Sequence, residues 1–366
     1  MIAAGRERAG GLPWPMRSWW GERETQPMTR RCLTMPDEAM PDAPRSDERQ
    51  LRKRDLAARA AWLYYVAGNT QDQLASKLNV SRQAAQRLVA TAVADGLITF
   101  RIDHPIRACV ELEEALRMRF PLDYVEVVPG DADRDGVLGL GGAAARQLEA
   151  HLSPKVPTML ALGTGRTLRA AVDQVERMER PQHKIVSLVG TTTRDGRASA
   201  FDVVMRLADR IGAACYPVPT TVVTDTVEER ALLENQRPWQ LIRSLADGAS
   251  VAMVGIGSLD QETDVPLLRD GFITATERDE LIRLGAVGDI TGWAFDAQGR
   301  QIDGGSNARL TAIPHRLPLE RLTIGVAGGR SKARAIAGAL RGRLVSGLIT
   351  DEAAARRILE LQADRL

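Results

Sequence analysis

TQDQLASKLNVSRQAAQRLVAT, residues 70–91, reads as two short helices joined by a tight turn. Thr70 followed three residues later by Gln73 is a capping box. Leu74 and Leu78 lie four apart and share one helix face, and Ala75 is small enough to let a second helix cross closely. Asn79 tolerates the left-handed backbone that the turn needs. Val80 points back to the core, and Ser81 is a second N-cap. From that cap Ala84, Ala85, Leu88 and Val89 form the inward stripe, which leaves Arg82, Gln83, Gln86 and Arg87 outward. Arg and Gln are the side chains that read guanine and adenine edges bidentately, and a helix N-terminus favours phosphate. The pattern predicts a helix-turn-helix on double-stranded DNA, with Arg82, Gln83, Gln86 and Arg87 on bases or phosphates and Gln71 and Ser81 on phosphates. A solvated helical hairpin would carry any one of these residues; the set at this spacing favours DNA.

The flanks agree. LAARAAWLYYVAGN (56–69) is an apolar-striped helix that stops at Gly68-Asn69 and supplies the first helix of a three-helix unit. Gly96 ends the second motif helix, and LITFRI (97–102) alternates like a short strand. Residues 51–101 hold eight Lys and Arg against three Asp, +5 in a chain whose total is +2. Positive charge is thus concentrated where a polyanion would sit.

The chain of 366 residues is long enough for two or three domains. Its three cysteines, Cys32, Cys109 and Cys215, are far apart and odd in number, which points to a reducing cytoplasm without disulfides or a metal site. No run has the length of a membrane span, so no membrane partner is expected. Residues 1–48 lack the apolar core of a signal peptide and are rich in Pro, Gly, Arg and acids. They read as a disordered extension, and Met35 and Met40 offer in-frame starts nearer the first helix.

Downstream a strand–turn–helix rhythm repeats. Residues 111–120 form a connecting helix. Strands are expected at 123–130, 158–163, 184–190, 214–223, 251–257, 321–329 and 344–350. Helices are expected at 143–152, 167–175, 201–212, in a long tract to Asp247, and at 331–342 and 351–361; residues 288–302 read as a hairpin turning at Gln298-Gly299. The fold class is therefore α/β: an N-terminal helix-turn-helix domain followed by a doubly wound, mostly parallel α/β domain. The divisions are 1–48 extension, 49–103 helix-turn-helix, 104–122 linker helix and 123–366 ligand-binding α/β domain.

Ligands of such sheets bind beyond the carboxyl ends of the strands, where the strand order reverses. Three strand ends carry chemistry. Gly163-Thr164-Gly165-Arg166-Thr167 opens a helix with two glycines, free N–H groups and two hydroxyls. Gly328-Gly329-Arg330-Ser331-Lys332 opens another, and its lysine opposes the helix dipole unless an anion lies beside it. Gly285-Ala286-Val287-Gly288-Asp289 ends in a carboxylate able to accept from two sugar hydroxyls. Read as plain turns, these would be packing glycines, a turn-forming aspartate and a solvated lysine. Read together, they make a phosphate cradle, a cation and a polyol acceptor.

The chain resembles the SorC family of sugar-binding transcriptional regulators, whose ligand domain is related to DeoR-type regulators and sugar-phosphate isomerases. The resemblance runs from about Leu51 to Leu361 on the segments NVSRQAAQRLVATAVADGLI, LGTGRT, LVGT, FDVVMRLADRIGA, GIGSL, GAVGDITGWAFD, VAGGRSKARAI and LVSGLITDEAAA. It implies a phosphorylated sugar or polyol effector and a homo-oligomer, a tetramer, on paired operator half-sites. It implies that Thr164, Gly165, Arg166, Thr167 and Lys332 hold the phosphate end, that Asp289 holds hydroxyls, and that Gly163, Gly190, Thr191, Gly328 and Gly329 complete the effector site. Family members often carry a small residue where Arg166 stands.

The rival of another class is a sugar-phosphate isomerase or deaminase. It would need a general base with a partner. His104, His151, His183 and His315 fall outside the strand-end turns, with His151 and His183 expected on the surface beside helix ends. Lys332 could form a Schiff base but lacks a neighbour to lower its pKa. No enzyme, cofactor or metal is expected. A third reading keeps the DNA-binding unit and makes the α/β domain an oligomerisation scaffold.

Overall fold

The computed structural model describes residues 45–98, 106–130, 137–198, 203–259, 265–314 and 319–363. They fall into two compact units, one up to Phe100 and one from Arg101. The expected disorder before residue 45, most of the 97–102 strand, His104 and His315 lie outside the described residues.

In the first unit, α1 (Arg45–Ala61) runs into a π-helical turn, Trp62–Val66, which ends before Gly68 at φ 67°. The helix starts eleven residues earlier than Leu56 and takes residues 45–48 from the expected extension. Its opening, RSDERQLRKRDL, is built of good helix formers but has no apolar stripe, so periodicity alone does not reveal it. α2 (Gln71–Leu78) is closed by the capping box: Gln73 N donates to Thr70 Oγ1 at 3.3 Å and Thr70 N to Gln73 Oε1 at 2.9 Å. Asn79 takes the left-handed turn at φ 52°. Ser81 Oγ accepts from Ala84 N at 3.2 Å to start α3 (Arg82–Ala94). Leu74, Ala85, Leu88, Val89 and Ala92 close a small core against Ala57, Ala60 and Ala61 of α1. The alanines let the helices approach closely, as expected of Ala75.

The second unit begins with α4 (Ile106–Arg119), β1 (Tyr124–Val128), α5 (Val137–Leu152), β2 (Met159–Leu162), α6 (Arg166–Gln174) and β3 (Lys184–Thr192). It continues through α7 (Val204–Ile211), β4 (Ala214–Thr221), α8 (Val227–Glu234), α9 (Arg237–Asp247) and β5 (Val251–Ser258). Then come α10 (Pro266–Arg269), α11 (Ala275–Arg283), β6 (Ala286–Ile290), β7 (Trp293–Asp296), β8 (Leu322–Val326), α12 (Ala333–Arg341), β9 (Gly347–Asp351) and α13 (Glu352–Ala363). Seven strands pair in parallel in the order β1-β9-β8-β5-β2-β3-β4. The hairpin β6–β7 extends the sheet antiparallel from the end of β5, with Gly257 opposite Asp289. Helices cover both faces. Leu148, Leu168 and Leu207 of α5, α6 and α7 pack in one apolar layer. Leu116, Trp239, Ile336 and Ile358 of α4, α9, α12 and α13 pack in the other. The chain winds outward from β2 through β3 to β4 and returns on the far side of β2 as β5, so the strand order reverses between β2 and β5.

Four local expectations change. The hairpin turns at Thr291-Gly292, where both residues have positive φ, and Gln298-Gly299 makes a second, smaller reversal bridged by Phe295 and Gln301. The tract to Asp247 is two helices, because Pro238 suits the first turn of α9 and could not continue α8. α10 and α11 were not anticipated; Leu267 and Leu281 are their buried residues, too few for a readable stripe. His183 is fully buried rather than on the surface. Its Nδ1 accepts from Thr158 N at 3.0 Å, so Nε2 donates to Leu152 O at 2.9 Å and ties the end of α5 to the start of β2. Burial lowers the pKa of His151, which is half-buried.

Candidate functional site

On the first unit Arg82, Gln83, Gln86 and Arg87 stand exposed on α3, opposite its buried stripe. Ser81 spends its hydroxyl on the cap. Gln71 is half-buried and its Oε1 accepts from Arg82 Nε at 3.4 Å, so the turn ties the two expected contact residues together. Asp72, which the motif reading passed over, lies 3.5 Å from Arg82. Both side chains of that pair are about two-thirds exposed (66% and 71%), so water screens it and a phosphate can displace it.

On the second unit a crevice opens at the carboxyl ends of β2, β5 and β8, at the switch point. With its open mouth counted it encloses about 790 Å³. The turn Thr164–Thr167, Gly257, Asp289 and Lys332 line it. Gly165 caps α6 at φ 126°, a backbone region that other residues rarely adopt, and no atom lies within 4 Å of where its Cβ would be. Neither the Gly165 cap of α6 nor the Lys332 cap of α12 uses a side chain on the helix N–H groups. The two helix starts lie on opposite faces of the sheet and flank β5, so both dipoles favour an anion there.

Asp289 does not end a parallel strand, as its glycine-rich sequence suggested. It lies inside antiparallel β6 and reaches the crevice because β6 pairs with the carboxyl end of β5. It is 6% exposed. Oδ2 accepts from Gly292 N at 3.1 Å, while Oδ1 is buried without a hydrogen-bond partner among the described residues. Burial pushes its pKa up to about 6, against the pull of the Gly292 N–H and of Lys332, with Asp270 adding to the rise. Only glycine fits opposite it: a Cβ on Gly257 would lie 2.0 Å from Oδ1.

The other expected site residues lie beside the crevice. Gly163 is buried beneath Thr291. Gly190 and Thr191 border a small neighbouring pocket, where Thr191 Oγ1 donates to Val218 O at 3.3 Å and a Cβ on Gly190 would meet Thr220 O at 2.6 Å. Gly328 and Gly329 shape the turn that carries Lys332. Gly329 N donates to Asp351 Oδ2 at 2.6 Å, and Asp351 Oδ1 accepts from Ala354 N at 2.8 Å, so one buried carboxylate clamps the lysine turn to α13. Asp351→Ala is expected to cost the second unit about 3 kcal/mol, two hydrogen bonds to a charged group. Denaturant melts measure it; an unchanged midpoint would show the clamp to be idle.

Sequence reasoning also missed Arg269 and Asp270 at the end of α10, which line the crevice with Arg269 Nε 3.1 Å from Asp270 Oδ1. No motif marks them. Beyond them Glu277 of α11 is held by Arg194 at 3.0 Å and by Arg309. Burial would raise the Glu277 pKa, but the Thr274 N–H and the two guanidiniums keep it below the usual carboxylate value. No described helix is long and apolar enough to cross a membrane.

Residues 104–360 match the family model described as "Putative sugar-binding domain". The erythritol catabolism regulatory protein EryD of Brucella abortus (strain 2308) is 35% identical over 307 residues, 83% of this chain and 96% of that protein. The transcriptional regulator LsrR of Escherichia coli (strain K12) is 32% identical over 336 residues, 89% of this chain and 99% of that protein. The crystal structure of the full-length sorbitol operon regulator SorC from Klebsiella pneumoniae superposes with a TM-score of 0.61 at 24% identity, covering 84% of this chain and 99% of that one, which is a likeness of fold.

Proposed function

Since this chain belongs to the SorC family of sugar-binding transcriptional regulators, we propose that it controls a carbohydrate or polyol catabolic operon in the cytoplasm through a phosphorylated sugar or polyol effector. The observation that carries the effector reading is Asp289, a buried carboxylate with one oxygen unpartnered, in a crevice that also holds Lys332. Thr164, Gly165, Arg166, Thr167 and Lys332 take the phosphate, and Asp289 accepts from hydroxyls. Arg82, Gln83, Gln86 and Arg87 take operator DNA. The relative named for erythritol catabolism puts short polyols and their phosphates at the head of the effector panel.

The α/β units assemble, as a tetramer, and set the spacing between helix-turn-helix units. Effector binding shifts that arrangement, and operator affinity follows because divalent engagement multiplies affinity only when the geometry fits. The effector achieves this only by binding the two arrangements unequally. The enzymatic reading is not favoured: the relatives are named as regulators, and the buried His183 is committed to the fold.

Arg87→Ala tests the DNA half. Operator affinity is expected to fall about 5- to 150-fold, or 1–3 kcal/mol, with the salt slope reduced by about one if the contact is to phosphate. Effector-dependent melting should stay as in the parent chain. Gel-shift titrations at several salt concentrations read both; an unchanged operator affinity removes α3 from the interface.

A further inference from the structure

We propose that Asp270 is a second hydroxyl acceptor of the crevice and that, with Asp289, it seats two neighbouring hydroxyls, which makes the effector a polyol monophosphate carrying a vicinal diol. The inference rests on the effector reading given above and deepens it.

Asp270 follows α10 and lines the crevice with its side chain only 11% exposed. Its position is firm. Leu267 before it and Phe272 and Ile273 after it are buried in the core, and Gly271 turns the chain between them at φ 75°. Asp270 and Asp289 line the same crevice, and the Asp270 charge disfavours that of Asp289. Asp289 supplies the independent sign of a ligand, because its Oδ1 is buried and has no partner among the described residues.

Two ionised carboxylates are acceptors only and cannot satisfy one another. A phosphate oxygen would be repelled by both. A diol brings one O–H to each and leaves its own carbons against Phe272 and Val326, which also line the crevice. The same geometry limits the number of phosphates. Arg269 faces the Asp270 carboxylate at 3.1 Å, so its charge is already balanced there. Lys332 and the start of α6 provide for one phosphate.

Calorimetry on the full-length chain tests this with three esters: glycerol 3-phosphate, 2-hydroxypropyl phosphate, which lacks the terminal hydroxyl, and propyl phosphate, which lacks both. Each lost hydroxyl is expected to weaken binding about tenfold or more, the worth of a hydrogen bond to a charged acceptor. Asp270→Asn should compress the first step to about threefold or less, while propyl phosphate binds as well or better because Arg269 is released. Asp270→Ser serves if the asparagine variant does not fold, and the wild-type ladder needs neither. Equal binding of the three esters, or a ladder unchanged in the variant, overturns the diol seat alone. Failure of all three to bind overturns it together with the effector reading.

Discussion

Asp289→Asn is expected to abolish the effector response at ordinary effector concentrations while leaving the ligand-free fold as stable as before or more so above pH 6. The two effects have one cause. The Asp289 carboxylate is buried with one oxygen unpartnered, and its pKa is pushed from 3.8 to about 6. In the unfolded chain the group ionises at its ordinary value. Between about pH 4 and 6 the folded state therefore binds the extra proton, and stability falls as pH rises through that window. Above it the fold carries a penalty of about 3 kcal/mol, at 1.36 kcal/mol per pKa unit. The groups facing the carboxylate are the Gly292 N–H and Lys332, which favour its charge, and Asp270, which opposes it. An asparagine does not titrate, so the slope disappears. Denaturant melts at pH 5 and pH 8 read this, and an equal slope in both proteins would remove Asp289 as its source.

The cost of the same substitution falls on binding. A hydroxyl donating to an ionised carboxylate contributes about 1.5–3 kcal/mol, so losing it weakens binding by up to about a hundredfold. Effector at 100 times its dissociation constant stabilises the parent chain by about 2.7 kcal/mol. A hundredfold weaker variant at that concentration gains about 0.4 kcal/mol. Operator binding without effector should be untouched. Because effector hydroxyls donate to the charged form, affinity in the parent chain should also rise with pH up to about 6 and then level.

Leu74→Ala is expected to unfold the first unit alone. Leu74 is fully buried and is the largest such side chain in a core otherwise built mostly of alanine. Truncating a buried leucine costs about 2–5 kcal/mol. A unit this small holds little more than that, at roughly 0.05–0.15 kcal/mol per residue. Operator binding should vanish with the helices of α1 to α3, while effector-dependent melting of the α/β unit persists. Loss of helical signal without loss of the effector transition is the expected signature; retained operator binding would show that this core does not hold α3 in place.

The helix-turn-helix was legible nearly residue by residue because its determinants are local. The Thr70–Gln73 box, the left-handed Asn79 and the Ser81 cap are each interactions within a few residues. The parallel sheet was legible because strands buried on both faces read as continuous apolar runs. Less was readable where a segment lacked periodicity, as at the start of α1 and in α10 and α11, or where burial overrode polarity, as at His183.

From sequence alone came the two-part plan, the outward-facing side chains of α3 and the crevice residues Thr164–Thr167, Asp289 and Lys332. These follow from spacing within short elements. Only the tertiary structure decided what surrounds them. Gly257 makes room for Asp289 across the β5–β6 pairing, Asp351 clamps the lysine turn from the following strand, and the turn after α10 brings Asp270 to the crevice that Asp289 lines. Each of these contacts joins residues far apart in the chain through strand pairing and burial, which no local pattern encodes.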